Sequence, residues 1–293
     1  MPAASTDISR RHLIALTAAV AAGVVLIRPS SAQAALSPAV DPLDEVRCAR
    51  LVATRDFVLA HDASTHASGR GILMDRMGQN PILVDLPAGI YTADHEGNLV
   101  VVSSDQIRPA FPKELTDVRY VECGAIAAAE SATAQVMADG NLAVMLREHS
   151  ESPGEGGQRL MAQAIDAGQW EDRWVHPTYR QPLLPSLAGS DDPLISAGYD
   201  SNELWCSAIG VDHDMLDRFG SIDGFVLNTC LWRGVPTFIT SPDPTSGFTV
   251  IRDGTSWQFE DAVFIGAAAD AEDLFLLVAD SFVSPSRVLV RKG

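Results

Sequence analysis

Four cysteines in 293 residues, none in a Cys-x-x-C pair, leave this chain without the spacing of a zinc ribbon or a thioredoxin-type redox site. Basic residues are scarce too: 21 Lys and Arg stand against 38 Asp and Glu, a formal net charge of −17. Such a surface repels nucleic-acid phosphates and anionic headgroups, which argues against DNA or RNA as a partner. No Gly-x-Ser-x-Gly elbow occurs, so an α/β-hydrolase triad has no support. The "PGEGGQ" loop lacks the Gly-Lys-Ser/Thr of a phosphate loop, and "HEGNL" lacks the second histidine of a zincin helix. No run is long enough to cross a bilayer comfortably: Leu13 to Ile27 is uncharged, but falls short of the roughly twenty residues a spanning helix needs.

That short run has flanks of its own. Arg10 and Arg11 precede it, Arg28 and Pro29 close it, and Ala32-Gln33-Ala34 forms a cleavage pattern. Residues 1–34 are therefore expected to be a signal peptide and residues 35–293 the mature domain; an uncleaved anchor is the alternative. Ser9-Arg10-Arg11-His12-Leu13 resembles a twin-arginine leader, departing from it in having Leu13 where Phe is common and no following Lys. The resemblance implies export of an already folded protein to the periplasm or beyond, with no stable membrane insertion after cleavage. The leader holds three basic residues and one acidic one, so the remainder is two charges more negative than the whole.

The rest of the chain repeats short apolar runs beside turn residues: "RDFVLAHD", "GNLVVVSSD", "GNLAVMLREHS", "NELWCSAIG", "VPTFITSPD" and "EDLFLLVADS". Most hold four to six Val, Leu, Ile or Phe bounded by Gly, Asn, Asp or Pro, which reads as buried strands. Gly-Asn-Leu begins at Gly97 and again at Gly140, a spacing of 43 residues. A period near 40 of antiparallel strands points to an all-β fold, a β-propeller of five or six blades, with a β-sandwich as the alternative. Two segments are less regular. "DHDMLDRF" (212–219) fits a short helix capped by Asp212, and "ECGAIAAAESATAQVMADG" (122–140) fits either a helix or a crossover between blades. Cys206 and Cys230 sit in similar apolar strings and permit a disulfide; buried free thiols are the alternative.

Arg252-Asp253-Gly254-Thr255-Ser256-Trp257 resembles the Asp-box turn of sialidase and bacterial-neuraminidase-repeat propellers, Ser-x-Asp-x-Gly-x-Thr-Trp. One residue is missing before the Ser-Trp pair and the leading Ser is absent. Gly168-Gln169-Trp170 stands in an analogous place without the Asp. The resemblance implies propeller architecture; in such proteins the box is structural and says nothing direct about catalysis.

In a propeller, ligands bind where inner-strand ends and their loops converge on the central channel. Residues just after the apolar runs are the candidates: His61, Asp62, Arg147 and His149 for catalysis, with Glu148 and Asp280 alongside. Asp105, Asp200, Tyr179 and Arg180 are candidates for substrate binding. Carboxylates with Arg and His suit cleavage of a glycosidic bond by hydrolysis. They also suit β-elimination from a uronate, where a His or Tyr base removes a proton and Arg neutralises the carboxylate. The expected partner is therefore a carbohydrate or another small molecule. A non-catalytic glycan- or protein-binding propeller would instead expose aromatics such as Trp170, Trp174 and Tyr179. A metal or redox-cofactor propeller would draw on "HDASTH" (61–66) or "DHD" (212–214), although neither has tetrahedral zinc spacing and the sequence identifies no cofactor.

The export expectation is tested by changing the arginine pair. Arg10→Lys with Arg11→Lys should leave the protein in the cytoplasm with its leader uncleaved, and unimpaired appearance in the periplasm would contradict a twin-arginine route.

Overall fold

The computed structural model describes residues 50–136, 140–148, 158–164, 168–176, 187–189, 194–200, 203–209, 216–221, 224–233, 235–243, 247–281 and 286–292. The strands form six sheets in chain order. The first is β1 (Arg50–Ala53), β2 (Val58–His61), β3 (Gly69–Met74) and β4 (Ile82–Leu86). The second is β5 (Ile90–Ala93), β6 (Leu99–Ser103) and β7 (Arg119–Glu122). The third is β8 (Ala129–Val136), β9 (Asn141–Glu148), β10 (Gln158–Ala164) and β11 (Glu171–His176). The fourth is β12 (Leu187–Gly189), β13 (Leu194–Asp200), β14 (Glu203–Ile209) and β15 (Leu216–Ser221). The fifth is β16 (Phe225–Trp232), β17 (Val235–Ser241), β18 (Phe248–Arg252) and β19 (Thr255–Phe259). The sixth is β20 (Val263–Ala269), β21 (Asp273–Ala279) and β22 (Ser286–Lys292).

The first strands of successive sheets, β1, β5, β8, β12, β16 and β20, touch in that order, and β20 returns to β1. This is a closed β-propeller and not a sandwich. Five sheets are antiparallel meanders and form regular blades. The second departs from them, because β7 runs parallel to β6 after a crossover through residues 104–118.

The packing explains why the apolar runs are continuous rather than alternating. The first, second and sixth sheets are covered on both faces, so successive side chains of one strand enter different cores. In β2, Val58 and Ala60 join the core shared with the sixth sheet, whereas Leu59 joins the core shared with the second. In β21, Phe275 and Leu277 face the first sheet, while Leu274, Leu276 and Val278 face the fifth. In β6, Val100 and Val102 pack towards the third sheet, and Leu99 and Val101 towards the first. Five of the six apolar runs are thus second strands of their sheets, β2, β6, β9, β17 and β21, flanked on both edges; the sixth, in β14, is a third strand.

Three sequence expectations change. Leu216–Ser221 is strand β15, so the helix expected over 212–219 does not form there, and residues 212–215 lie outside the described residues. The alanine-rich stretch becomes a one-turn 3₁₀ helix, Gly124–Ala128, followed by β8. Its alanines override their helix propensity because Ala129 and Ala132 pack in the core between the second and third sheets. Cys230 carries a free thiol in β16, whereas Cys206 belongs to β14 of another sheet, so the two do not form the disulfide considered above. Burial pushes the Cys230 thiol up to about 12.

Among the described residues the ring closes between its first and last sheets without sharing a strand. Arg76, in the β3–β4 turn, does much of the joining. Its Nη1 donates to Thr54 O at 2.6 Å and its Nη2 to Asp270 Oδ2 at 2.6 Å and Asp273 Oδ2 at 3.3 Å. The guanidinium also lies 4.9 Å from the centroid of the Phe275 ring. Burial pushes the Asp270 carboxyl up, but the N–H groups of Asp273 and Glu272, together with Arg76, outweigh it and hold the group below its ordinary range.

Two turns at this same end share one plan. Asp75 N and Asp94 N donate to the carbonyls of Gln79 and Asn98, while Gly78 (φ 73°) and Gly97 (φ 78°) take the left-handed conformation. The Arg252–Trp257 stretch is the β18–β19 hairpin, with positive φ at Asp253 and Gly254.

Arg76→Met keeps most of the apolar stem and leaves Asp270 and Asp273 unpaired at a half-buried seam. Chemical denaturation should show a loss of about 2–3 kcal/mol. The exposed Arg55–Asp56 pair is the control, because Arg55→Met should change stability by no more than about 0.5 kcal/mol. Equal effects would deny Arg76 its closing role.

Candidate functional site

In this topology the first strands all begin, and the second strands all end, at one mouth of the ring. His61, Asp62, Asp105, Arg147, Asp200 and Asp280 all come at or just after second strands, and so they share that mouth. They come from strands one place out from the channel wall, not from the innermost strands. Of Asp200 only the backbone is described, and His149, Tyr179 and Arg180 lie outside the described residues.

His61 is 1% exposed, with its ring centroid 4.8 Å from that of Tyr91. Neither ring nitrogen has a hydrogen-bond partner. Burial pushes its pKa down to about 3; the Arg50 charge adds to this, and the Ala63 backbone offsets part of it. His61 is therefore a neutral, enclosed ring at ordinary pH, withdrawn from any ligand. Asp62 is exposed, yet its Oδ1 accepts from Arg70 N at 2.5 Å and closes the β2–β3 loop. Asp280 pairs with Arg287. At Asp105 the backbone is held by Ser103 Oγ and by the Tyr120 hydroxyl, which donates to Asp105 O at 2.6 Å. Trp170 is packed against the core between the second and third sheets, and its Nε1 donates to Glu122 O at 2.7 Å. Among the described residues no three His, Cys, Asp or Glu side chains gather as a metal site.

The β2–β3 loop brings a different histidine to the mouth. Ser64 O accepts from Gly89 N at 3.0 Å, and Ala63 and Thr65 are buried beneath the loop. These contacts anchor the segment that carries His66. His66 Nε2 lies 3.0 Å from Ala129 O, at the start of β8, so the loop reaches from the first sheet to the innermost strand of the third. A carbonyl can only accept. The contact therefore assigns the hydrogen to Nε2 and leaves the Nδ1 lone pair free.

β8 starts with a bulge: Ala129 is opposite Glu148 and Ser131 opposite Arg147, so Glu130 is the extra residue. Bulges re-aim a side chain and recur beside binding sites. β16 and β20 shift register at the same end, at Leu227 and Ile265, but only β8 places a charged residue there. Glu130 Oε2 lies 3.4 Å from Arg147 Nε, a loose pair whose side chains are 47% and 25% exposed. The mouth thus brings together Arg147, which the sequence reading proposed, with His66 and Glu130, which it did not assign to the site. His66 stood out only as one ligand type within "HDASTH", and Glu130 was an isolated charge in an alanine run.

A scan against protein-family models matched none, and a search of curated proteins found no similar one. Among solved structures, an acylaminoacyl peptidase in complex with Z-Gly-Gly-Phe-chloromethyl ketone is 9% identical with a TM-score of 0.47; the alignment covers 86% of this chain and 52% of that one. The chain thus spans about half the length of that enzyme. A glycoside hydrolase of the GH130 mannoside phosphorylase family is 8% identical, covering 84% and 83% at a TM-score of 0.39. An oligogalacturonate lyase from Vibrio parahaemolyticus is 9% identical, covering 82% and 84% at 0.39.

The enclosed His61 makes stability depend on pH. Its folded pKa is depressed to about 3 from an ordinary 6.5, so only the unfolded chain takes up a proton between those values. The stability tied to its neutral form is complete above about pH 6.5 and is lost progressively as pH falls towards 3. Melting curves at pH 7.5 and 4.5 should show a larger drop for the wild type than for His61→Phe. At pH 7.5 the variant should be more stable by about 1–2 kcal/mol, because two unsatisfied ring nitrogens are removed. Parallel pH dependence in the two proteins would contradict the assignment.

Proposed function

We propose that the protein is an exported propeller that acts on acidic carbohydrate at the Glu130 mouth, cleaving it by β-elimination outside the cytoplasm. The observation that supports this reading is that His66 contacts Ala129 O and Arg147 contacts Glu130, adjacent residues at the β8 bulge. β-Elimination needs a base for the proton on the carbon beside a uronate carboxylate, and a cation to neutralise that carboxylate so the proton can be lost. His66 Nδ1 is the base. Its Nε2–H bond to Ala129 O fixes the tautomer and orients the ring. Arg147 is the carboxylate clamp: the substrate's carboxylate takes the place of Glu130 on its guanidinium. As Nδ1 takes the proton, a carbon–carbon double bond forms and the neighbouring carbon–oxygen bond breaks; the leaving sugar oxygen takes a proton from water, and the imidazolium gives its proton to the hydroxide so formed. His149 stands two residues beyond Arg147 in the sequence, and Tyr179 and Arg180 follow β11 in the sequence; all three lie outside the described residues and are proposed as further contacts to the sugar.

The test is incubation of the full protein with polygalacturonate, alginate and a neutral glucan. Ultraviolet absorbance of unsaturated uronate and new reducing ends would both be followed. One of the two polyuronates should give both signals and the neutral glucan neither. His66→Ala should slow turnover by about 10²–10⁴-fold. Arg147→Ala should act on both KM and kcat, because the clamp holds the substrate and acidifies its proton. Reducing ends without unsaturation would replace elimination by hydrolysis, and binding without turnover would make this a recognition propeller. Turnover indifferent to His66 and Arg147 would overturn the site.

A further inference from the structure

At the opposite end of the ring the fifth and sixth sheets meet through a ladder of two neighbouring indoles with a guanidinium at each end. Trp232 closes β16, is 2% exposed, and donates from Nε1 to Glu272 O at 3.2 Å. Arg252, the last residue of β18, lies 4.6 Å from the centroid of the Trp232 ring. Trp257 in β19 is the next ring, 6.0 Å from Trp232, and Arg291 of β22 lies 4.0 Å over Trp257. The order is Arg252, Trp232, Trp257, Arg291.

The ladder lacks an anion. Arg76, Arg119, Arg147, Arg159 and Arg287 each pair with a carboxylate. Among the described residues Arg252 and Arg291 pair with none, in a chain with 38 acidic and 21 basic side chains. Arg252 Nε is buried and has no hydrogen-bond partner at all. A guanidinium over an indole keeps its N–H groups for a carboxylate, which it can take in two parallel hydrogen bonds; Arg291 is exposed, and the buried Arg252 Nε is a donor without an acceptor. Asp270 and Asp273, acids of this seam, are already engaged by Arg76.

We propose that the Arg252–Arg291 ladder is a second binding surface, for ligands bearing more than one carboxylate, separate from the Glu130 mouth and independent of any cleavage there. The two indoles set the spacing of the two guanidinium edges, so a ligand with paired carboxylates engages both and one with a single carboxylate engages only one. Acidic glycan chains and small polycarboxylates share this chemistry.

The experiment is calorimetric titration of the full chain in an Arg147→Ala background, which removes the carboxylate clamp of the other mouth. The probes are polygalacturonate, citrate and neutral dextran. Polygalacturonate should bind, weaken with added salt, and lose about tenfold in affinity in Arg291→Gln, the equivalent of one charge-assisted hydrogen-bonded pair. Arg291→Lys should not restore it, because an ammonium has no planar edge. Arg252→Gln should add to the loss, with a melting curve to show that the variant is folded; Arg291 is exposed, so its variant stands as the test if Arg252→Gln is not. Citrate binding with the same dependence on Arg291 assigns small polycarboxylates as ligands, and polymer binding without citrate assigns the acidic chain. Affinity unchanged in Arg291→Gln, binding of dextran as tight as that of polygalacturonate, or no binding of either acidic probe overturns the proposal.

Discussion

The first, second and sixth sheets have no face to give to water. Leu59 in β2 and Phe275 in β21 are fully buried, and their neighbours in sequence point into the cores on the other side. Each of these sheets therefore needs two partners, and a linear row of such sheets would leave an apolar face at each end. Closure of the first sheet on the last removes both faces together. That contact rests on Leu51, Ala53, Ile72 and Met74 meeting Ala268, Phe275 and Leu277, with Arg76 fixing the rim. Each mouth of the ring is defined only once closure has occurred.

The propeller was legible in the sequence because its strands are buried on both faces and carry continuous apolar runs. The same burial decided which residues were singled out as candidates. The runs in β2, β6, β9, β17 and β21 are second strands, and the residues that follow them reach the mouth from one strand out of the channel wall. Tertiary packing overrode local propensity where the alanines of β8 were needed as small residues between sheets. The segment around 212–219 carried a capping residue and apolar spacing suited to a helix, yet Leu216–Ser221 pairs with β14 because the fourth sheet requires an outer strand.

The two histidines of "HDASTH" divide along the same line. His61 ends a strand and is drawn into the interior against Tyr91, where burial keeps it neutral. His66 lies in the following loop, free of the strand's packing, and is delivered across the mouth to Ala129. Only the relation between sheets distinguishes them, and spacing within one segment does not contain that relation. Arg147 was identifiable because its strand ends at the mouth; Glu130 needed the bulge, a feature of register rather than of composition. The Arg252–Trp257 turn was noticed as a structural box, while its side chains matter through partners 20 residues before and 34 after it, Trp232 and Arg291.

Nitrogen NMR of the His66 imidazole, at neutral pH and with a uronate oligomer added, tests the Glu130 mouth most directly. The expected spectrum has Nε2 protonated and Nδ1 bare in the free protein, with the Nδ1 resonance moving on titration and not moving in Arg147→Ala. A proton on Nδ1 in the free protein, or an Nδ1 signal indifferent to the uronate, would contradict the placing of base and clamp at this mouth.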